Sequence, residues 1–156
     1  MKYLMSACLA NQPVRYDGKA YKITAIENFL AHHQVILVCP EILGGLATPR
    51  APAEIQNHST LAILQGTAQV IDIDGHDVSE AFMQGAYATL HMAQIHQVDV
   101  VILKENSPSC GSHFIYDGSF SGKKIIAAGI TTTLLRSHGF RVISEQELLQ
   151  QLLIRD

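Results

Sequence analysis

The sequence predicts an α/β fold, a mostly parallel sheet flanked by helices in a Rossmann-like three-layer sandwich. Short, wholly apolar runs at Tyr3-Leu4-Met5, Val35-Ile36-Leu37-Val38 and Val100-Val101-Ile102-Leu103 read as strands covered on both faces. Segments with helical spacing stand between them, and parallel strands need such crossovers. The 156 residues suit one domain, 1–156, large enough for a core without staples.

After the first strand, turn formers run from Asn11 to Gly18, and Ile26, Phe29 and Leu30 then share one face of a helix from about Ile23 to His32. The second strand ends at Cys39-Pro40-Glu41. Beyond it, Gly44-Gly45, Pro49, Arg50 and Pro52 predict a long shaped loop without a regular element. Val70-Ile71-Asp72-Ile73 reads as a short strand closed by the Asp74-Gly75 turn. Asp77 and Glu80 form a capping box for a helix in which Phe82, Ala86, Leu90 and Ala93 recur, down to about Gln97. The third apolar run follows at once, so a right-handed βαβ crossover is the expected connection. Gly129 precedes a helix through Leu134 and Leu135 that ends at Gly139 as its C′ residue. Phe140 to Ile143 is then a strand, and Ser144 with Glu147 caps the final helix.

Apolar residues make up 47% of the chain and charged residues 16%, which excludes a disordered chain. The net charge of −3 shows no basic excess, so a nucleic-acid partner is unsupported, though a local patch is not excluded. Apolar stretches are strand-length and the amino terminus has no signal-like pattern, so the expectation is a cytoplasmic protein without a membrane span. Three cysteines at wide spacing, with no C-x-x-C, argue for reduced thiols rather than a disulfide framework.

Those cysteines, Cys8, Cys39 and Cys110, each lie past one of the three apolar runs, at the carboxyl end of a strand. In an open parallel sheet these ends border the ligand crevice, so three sulfurs distant in sequence converge there. Taken singly, a buried cysteine is a small hydrophobe. Cys39 before Pro40 and Glu41, and Cys110 within Ser107-Pro108-Ser109-Cys110-Gly111, stand in loops poor in core residues. A structural zinc site needs a fourth ligand. The eight histidines, His32, His33, His58, His76, His91, His96, His113 and His138, show no ligand spacing, and only His113 is near enough in sequence to reach the crevice. Solvent or hydrogen-bond duty is the expectation for it. A cubane iron–sulfur cluster suits three thiolates better, because one iron then lacks a protein ligand and acts as a thiophilic Lewis acid.

The ordered set Ser6-Ala7-Cys8-Leu9, Arg15-Tyr16-Asp17-Gly18, Cys39-Pro40-Glu41, Gly45-Leu46, Pro49-Arg50 and Ser107-Pro108-Ser109-Cys110-Gly111 resembles the thiouracil desulfidase family nearly end to end. The likeness continues through Ile115-Tyr116-Asp117-Gly118, Gly129-Ile130-Thr131, Leu134-Leu135 and Ser144-Glu145. The resemblance implies a [4Fe-4S] cluster held by Cys8, Cys39 and Cys110, a free iron for the substrate sulfur, and removal of sulfur from a thiolated uracil to leave uracil and sulfide. It places the functional acid on Glu41 and the hydroxyl on Ser107, and tilts the partner toward a small thiolated base or nucleoside. Water is the expected nucleophile, with Glu41 as its base, raised in pKa if its surroundings are dry and apolar. Ser107 orients water or donates as charge develops, whereas Ser109 is expected as backbone support.

Arg15, Arg50 and Lys104 sit by the same loops, either to attract a carbonyl-bearing or anionic substrate or as solvated surface. The segments Ile55 to Ile73 and Ser112-His113-Phe114 depart from the family pattern and are candidates for the pocket lining. Tyr-Asp-Gly trails both Cys8 and Cys110; the commonness of Asp-Gly turns favours chance over a pair of matched loops. Two other readings stay open, a non-catalytic metal or cluster sensor and a zinc or metal-free hydrolase using Cys39 or Cys110 with a histidine base.

Overall fold

The computed structural model describes residues 1–56 and 59–154. In chain order the elements are β1 (Lys2–Ser6), a 3-10 turn (Ala7–Ala10), α1 (Thr24–His32), β2 (Gln34–Val38), α2 (Pro40–Leu43), β3 (Ala53–Ile55), α3 (Thr60–Gln65) and β4 (Val70–Asp72). There follow α4 (Ser79–Ile95), β5 (Val100–Leu103), β6 (Phe114–Tyr116), β7 (Lys124–Ile126), α5 (Ile130–Ser137), β8 (Arg141–Ser144) and α6 (Glu145–Ile154). The central sheet has the order β2-β1-β5-β8 with every pairing parallel.

The three-layer sandwich follows from the side-chain alternation of those strands. Leu4, Val38, Val101, Leu103 and Val142 enter one core with Ile63 of α3, Phe82, Ala86 and Leu90 of α4, and Ile130, Leu134 and Leu135 of α5. Their neighbours Tyr3, Met5, Val100, Ile102 and Ile143 enter a second core with Ile26 and Phe29 of α1 and Leu148 of α6. Apolar residues are therefore needed at the successive middle positions of these strands, as each face is covered there. Each fully buried leucine or isoleucine contributes roughly 2 kcal/mol of apolar burial, so neither face can be made polar cheaply.

The helix ends explain the boundaries. The Ser144 N–H donates to Glu147 Oε1 at 3.2 Å and the Glu147 N–H to Ser144 Oγ at 3.1 Å, the reciprocal box expected for α6. Gly139, at φ +86°, follows α5 as its left-handed C′ residue. Asp77 behaves differently from the capping box expected of it. Its carboxylate accepts the Ser79 N–H at 2.9 Å, and α4 begins at Ser79 after an N-cap at Val78 with no side-chain cap.

Other departures concern the short strands. β4 stops at Asp72 and pairs antiparallel with β3, so it is outside the parallel sheet and the expected direct βαβ unit from it to β5 does not form. The crossover runs from β2 to β5, passing over β1. β6 and β7 form a second antiparallel pair. Both are three residues long, below the length at which alternation is readable. No helix among the described residues is long and apolar enough to cross a membrane.

Candidate functional site

The strand order places β1 between β2 and β5, so the chain leaves β1 toward one side and later returns on the other. That switch point opens a crevice beyond the strands' carboxyl ends. Cys8 lies in the 3-10 turn directly after β1, Cys39 follows the last residue of β2, and Cys110 stands in the loop after β5. All three are free and all three border one cavity of about 450 Å³. Cys8 and Cys110 are buried and Cys39 is half-buried.

Burial pushes the Cys8 thiol up to about 12, with further upward pressure from Cys39 and opposing pull from Lys104 and Arg15. Burial likewise pushes Cys110 up to about 12; Ser109 eases it, while Glu41, Cys39 and Cys8 add to it. Cys39 is raised for the same first reason. The sulfurs thus sit in one another's electrostatic field, and a cation that displaces their protons relieves the shared cost. A tetrahedral zinc ion with bonds of about 2.3 Å draws its sulfurs to about 3.8 Å of one another. Among the described residues, the only three candidate metal-ligand atoms of His, Cys, Asp or Glu within 4.8 Å of one another belong to Asp72, Asp74 and His76. At least one pair of the three sulfurs therefore lies more than 4.8 Å apart, and an all-sulfur donor set is the one that iron–sulfur clusters take.

Glu41 enters on α2, where Pro40 at the first helical position starts the helix immediately after Cys39. Its Oε1 accepts Arg50 Nε at 3.0 Å and its Oε2 accepts the Ser109 hydroxyl at 2.9 Å. Its hydrogen-bond partners are therefore polar. Ser107 Oγ accepts the Cys110 N–H at 2.7 Å and lies 3.3 Å from Ser109 Oγ. Ser109, expected as mere backbone support, is 1% exposed and links the other two residues.

Arg50 is not solvated surface. Its side chain is 10% exposed and also donates to the Ala47 carbonyl, Thr48 Oγ1 and, at 3.0 Å, the Val14 carbonyl. The Cys39 thiol points at the same Val14 carbonyl at 3.8 Å. Arg15 pairs with Asp17 at 3.5 Å and lies 4.7 Å from the Tyr21 ring centre; Lys104 lies 5.2 Å from that ring and 3.4 Å from Glu145. His113 is half exposed and contacts Glu105 and Glu147, so hydrogen bonding is its observed duty. His58 lies outside the described residues.

Two carboxylates that sequence reasoning passed over shape the rim. Burial by itself raises Glu105, but the N–H groups of His113 and Phe114, the Ser112 hydroxyl and the Ser112 N–H bring it down to about 2. This carboxylate gathers 112–114 beneath the Cys110 loop. Across that loop, the free N–H groups at the start of α5 are satisfied: Ile130 donates to the Pro108 carbonyl and Thr131 to that of Ser109, both at 2.9 Å. Glu54, on β3 and 8% exposed, holds the Gly118 and Phe120 N–H groups. Ala53 and Glu54 and, beyond β4, Ile73 reach the cavity, whereas Ser112, His113 and Phe114 do not border it.

The two Tyr-Asp-Gly stretches prove to be matched. Asp17 Oδ1 accepts the Lys19 N–H and Asp117 Oδ1 the Ser119 N–H, each at 2.9 Å, and both glycines have positive φ. Tyr16 and Tyr116 border the same cavity.

The 2-thiouracil desulfurase family model matches residues 3–147. The chain belongs to that family. A curated relative, the uncharacterized protein YbbK of Bacillus subtilis (strain 168), is 48% identical over 145 residues, 93% of this chain and 96% of the relative. Among solved structures, the [4Fe-4S]-dependent thiouracil desulfidase TudS is similar with a TM-score of 0.84 and 39% identity, over 98% of this chain and 96% of that one. The family resemblance read from the sequence and the α/β architecture thus agree with the 2-thiouracil desulfurase match.

Proposed function

We propose that residues 1–156 act as one desulfidase unit that binds a [4Fe-4S] cluster through Cys8, Cys39 and Cys110 and hydrolyses the C=S bond of a thiolated pyrimidine such as thiouracil. The observation that carries this reading is the meeting of three thiols, from the ends of β1, β2 and β5, around one cavity that also holds Glu41 and Ser107. The similarity to TudS supports the choice of cluster and of substrate. A cytoplasmic setting, where thiols stay reduced, suits such a centre.

When bound, a cluster held by three thiolates supplies one iron without a protein ligand, a Lewis acid with affinity for sulfur. Thione and water give carbonyl and hydrogen sulfide, so no oxidant or reductant enters the balance. Glu41 is the proposed base. Arg50 occupies one lone pair of Oε1 and Ser109 one of Oε2, and a second lone pair on each oxygen remains to accept a proton from water. Ser107, whose oxygen accepts the Cys110 N–H, directs its own proton at Ser109 Oγ at 3.3 Å while Ser109 donates to Glu41, a long bond it can exchange for the water or the ring as charge develops. The apolar part of the rim, Val14, Val38, Pro52 and Ala53, limits bulk water around these groups.

The test is anaerobic purification and reconstitution, followed by an assay of sulfide and uracil from thiouracil. Equal yields of both products support the proposal. A loaded cluster with no turnover favours a sensor, and activity that persists in air without iron favours a cysteine or zinc hydrolase.

A further inference from the structure

Phe120 is a bulky side chain at a costly backbone position. Its φ is +56°, in the left-handed region that strongly disfavours large side chains. It joins neither hydrophobic core, so apolar packing does not repay that strain. It is half-buried and borders the cavity of the three cysteines.

The surroundings hold it there. Glu54 Oε1 accepts the Gly118 N–H at 2.9 Å and the Phe120 N–H at 3.2 Å, while Gln56 Nε2 donates to the Gly118 carbonyl at 3.0 Å. Gly118, at φ +96°, presses so closely on β3 that a Cβ there would meet the Ile55 carbonyl oxygen at 2.8 Å. Asp117 closes the turn by accepting both the N–H and the hydroxyl of Ser119. A buried carboxylate, a side-chain amide and a glycine contact thus all fasten a strained turn whose aromatic residue borders the cavity and joins neither core.

From this we infer that Phe120 is a specificity-determining residue, the aromatic wall on which the planar ring of the substrate stacks, and that Glu54 is the positioning residue that latches it. The inference rests on the pyrimidine reading above and adds to it the group that recognises the ring. Base-on-aromatic stacking is tolerant of ring substituents, so this wall admits thiolated pyrimidines of differing thione position and discriminates against aliphatic thioamides, which have no ring π face.

The test uses the cluster-loaded protein and two readouts, thiouracil turnover and calorimetric binding of uracil or thiouracil without turnover. Phe120→Leu keeps an apolar side chain and removes the π face; about a tenfold rise in KM and in the uracil Kd is expected, with kcat and iron content retained. Phe120→Tyr restores both to within about twofold of the parent. Glu54→Gln raises KM in the same direction and makes the chain more readily cut by chymotrypsin after Phe120, with ligand protecting the bond. Unchanged KM and uracil Kd in Phe120→Leu overturn the inference while leaving the desulfidase reading intact. If the parent binds these rings but releases no sulfide, the desulfidase reading fails and the binding arm still decides the role of Phe120. If the parent binds neither ring, both fall.

Discussion

Ser109 Oγ lies 2.9 Å from Glu41 Oε2, a hydrogen bond that spans 68 positions of sequence and ties the Cys110 loop to the helix after Cys39. The same hydroxyl oxygen is 3.5 Å from Cys110 Sγ. Through Arg50, Glu41 is tied in turn to the Val14 carbonyl, in the loop after Cys8. The carboxylate proposed as base therefore sits where the loops that follow the three cysteine-bearing strands are joined, and displacing any loop displaces it.

Substitution of the two proposed catalytic groups separates chemistry from assembly. Glu41→Ala and Ser107→Ala are expected to retain iron and absorption while losing turnover by about a hundredfold or more, the usual scale for removing a general base or a transition-state donor. Ser109→Ala leaves both groups present but frees the carboxylate, and about a tenfold loss in kcat is expected. Iron content and steady-state kinetics on the same preparations check all three.

Arg50 is expected to tolerate no substitute. Arg50→Met leaves a largely buried carboxylate without its partner, at a cost of about 3 kcal/mol. Arg50→Lys keeps the charge but loses the planar fork that reaches Glu41, Ala47, Thr48 and Val14 together. Urea unfolding reads the first effect. A kcat reduced in Arg50→Lys at near-parental stability reads the second.

The site also depends on a distant glycine contact. A Cβ at Gly85 of α4 would overlap the Pro40 carbonyl, and one at Gly44 would overlap the Ala81 carbonyl, so the backbones of α2 and α4 touch. Gly85→Ala is expected to cost about 2 kcal/mol by overpacking and to push α2, with Glu41, toward the cavity. A lowered urea midpoint together with reduced turnover checks this; a neutral effect on both shows that α2 is not braced by α4.

Glu105 makes stability sensitive to acid. Its carboxyl is lowered from 4.5 to about 2 in the folded protein. A depressed carboxylate contributes stability that is fully present above the unfolded value and fades as pH falls from about 4.5 toward 2, by about 3 kcal/mol in all. Glu105→Gln should flatten the urea-midpoint profile in that window and lower the midpoint at pH 7, because an amide cannot accept the same set of N–H donors.

The parallel strands and the convergence of the cysteines were legible because apolar runs mark strands covered on both faces, and because strand ends have a fixed place in such a sheet. The α6 cap was legible because Ser144 and Glu147 satisfy one another locally. What escaped notice depended on contacts between distant segments. Glu105 and Glu54 bind backbone N–H groups, which leave no trace in residue identity. Ser109 read as backbone support because its partner, Glu41, is remote in sequence. Arg50 could not be told from solvated surface because its partners Val14 and Tyr16 are remote in sequence. The β6–β7 pair escaped since three-residue strands carry too little alternation to register.

The proposed activity requires the three sulfurs to share one cluster, and iron with acid-labile sulfide per chain measures that most directly. After anaerobic reconstitution the parent should hold about four of each, and Cys8→Ser, Cys39→Ser and Cys110→Ser should each lose both together while remaining folded. A variant among these three that keeps the full complement of iron and sulfide, with the parent's absorption, would contradict it.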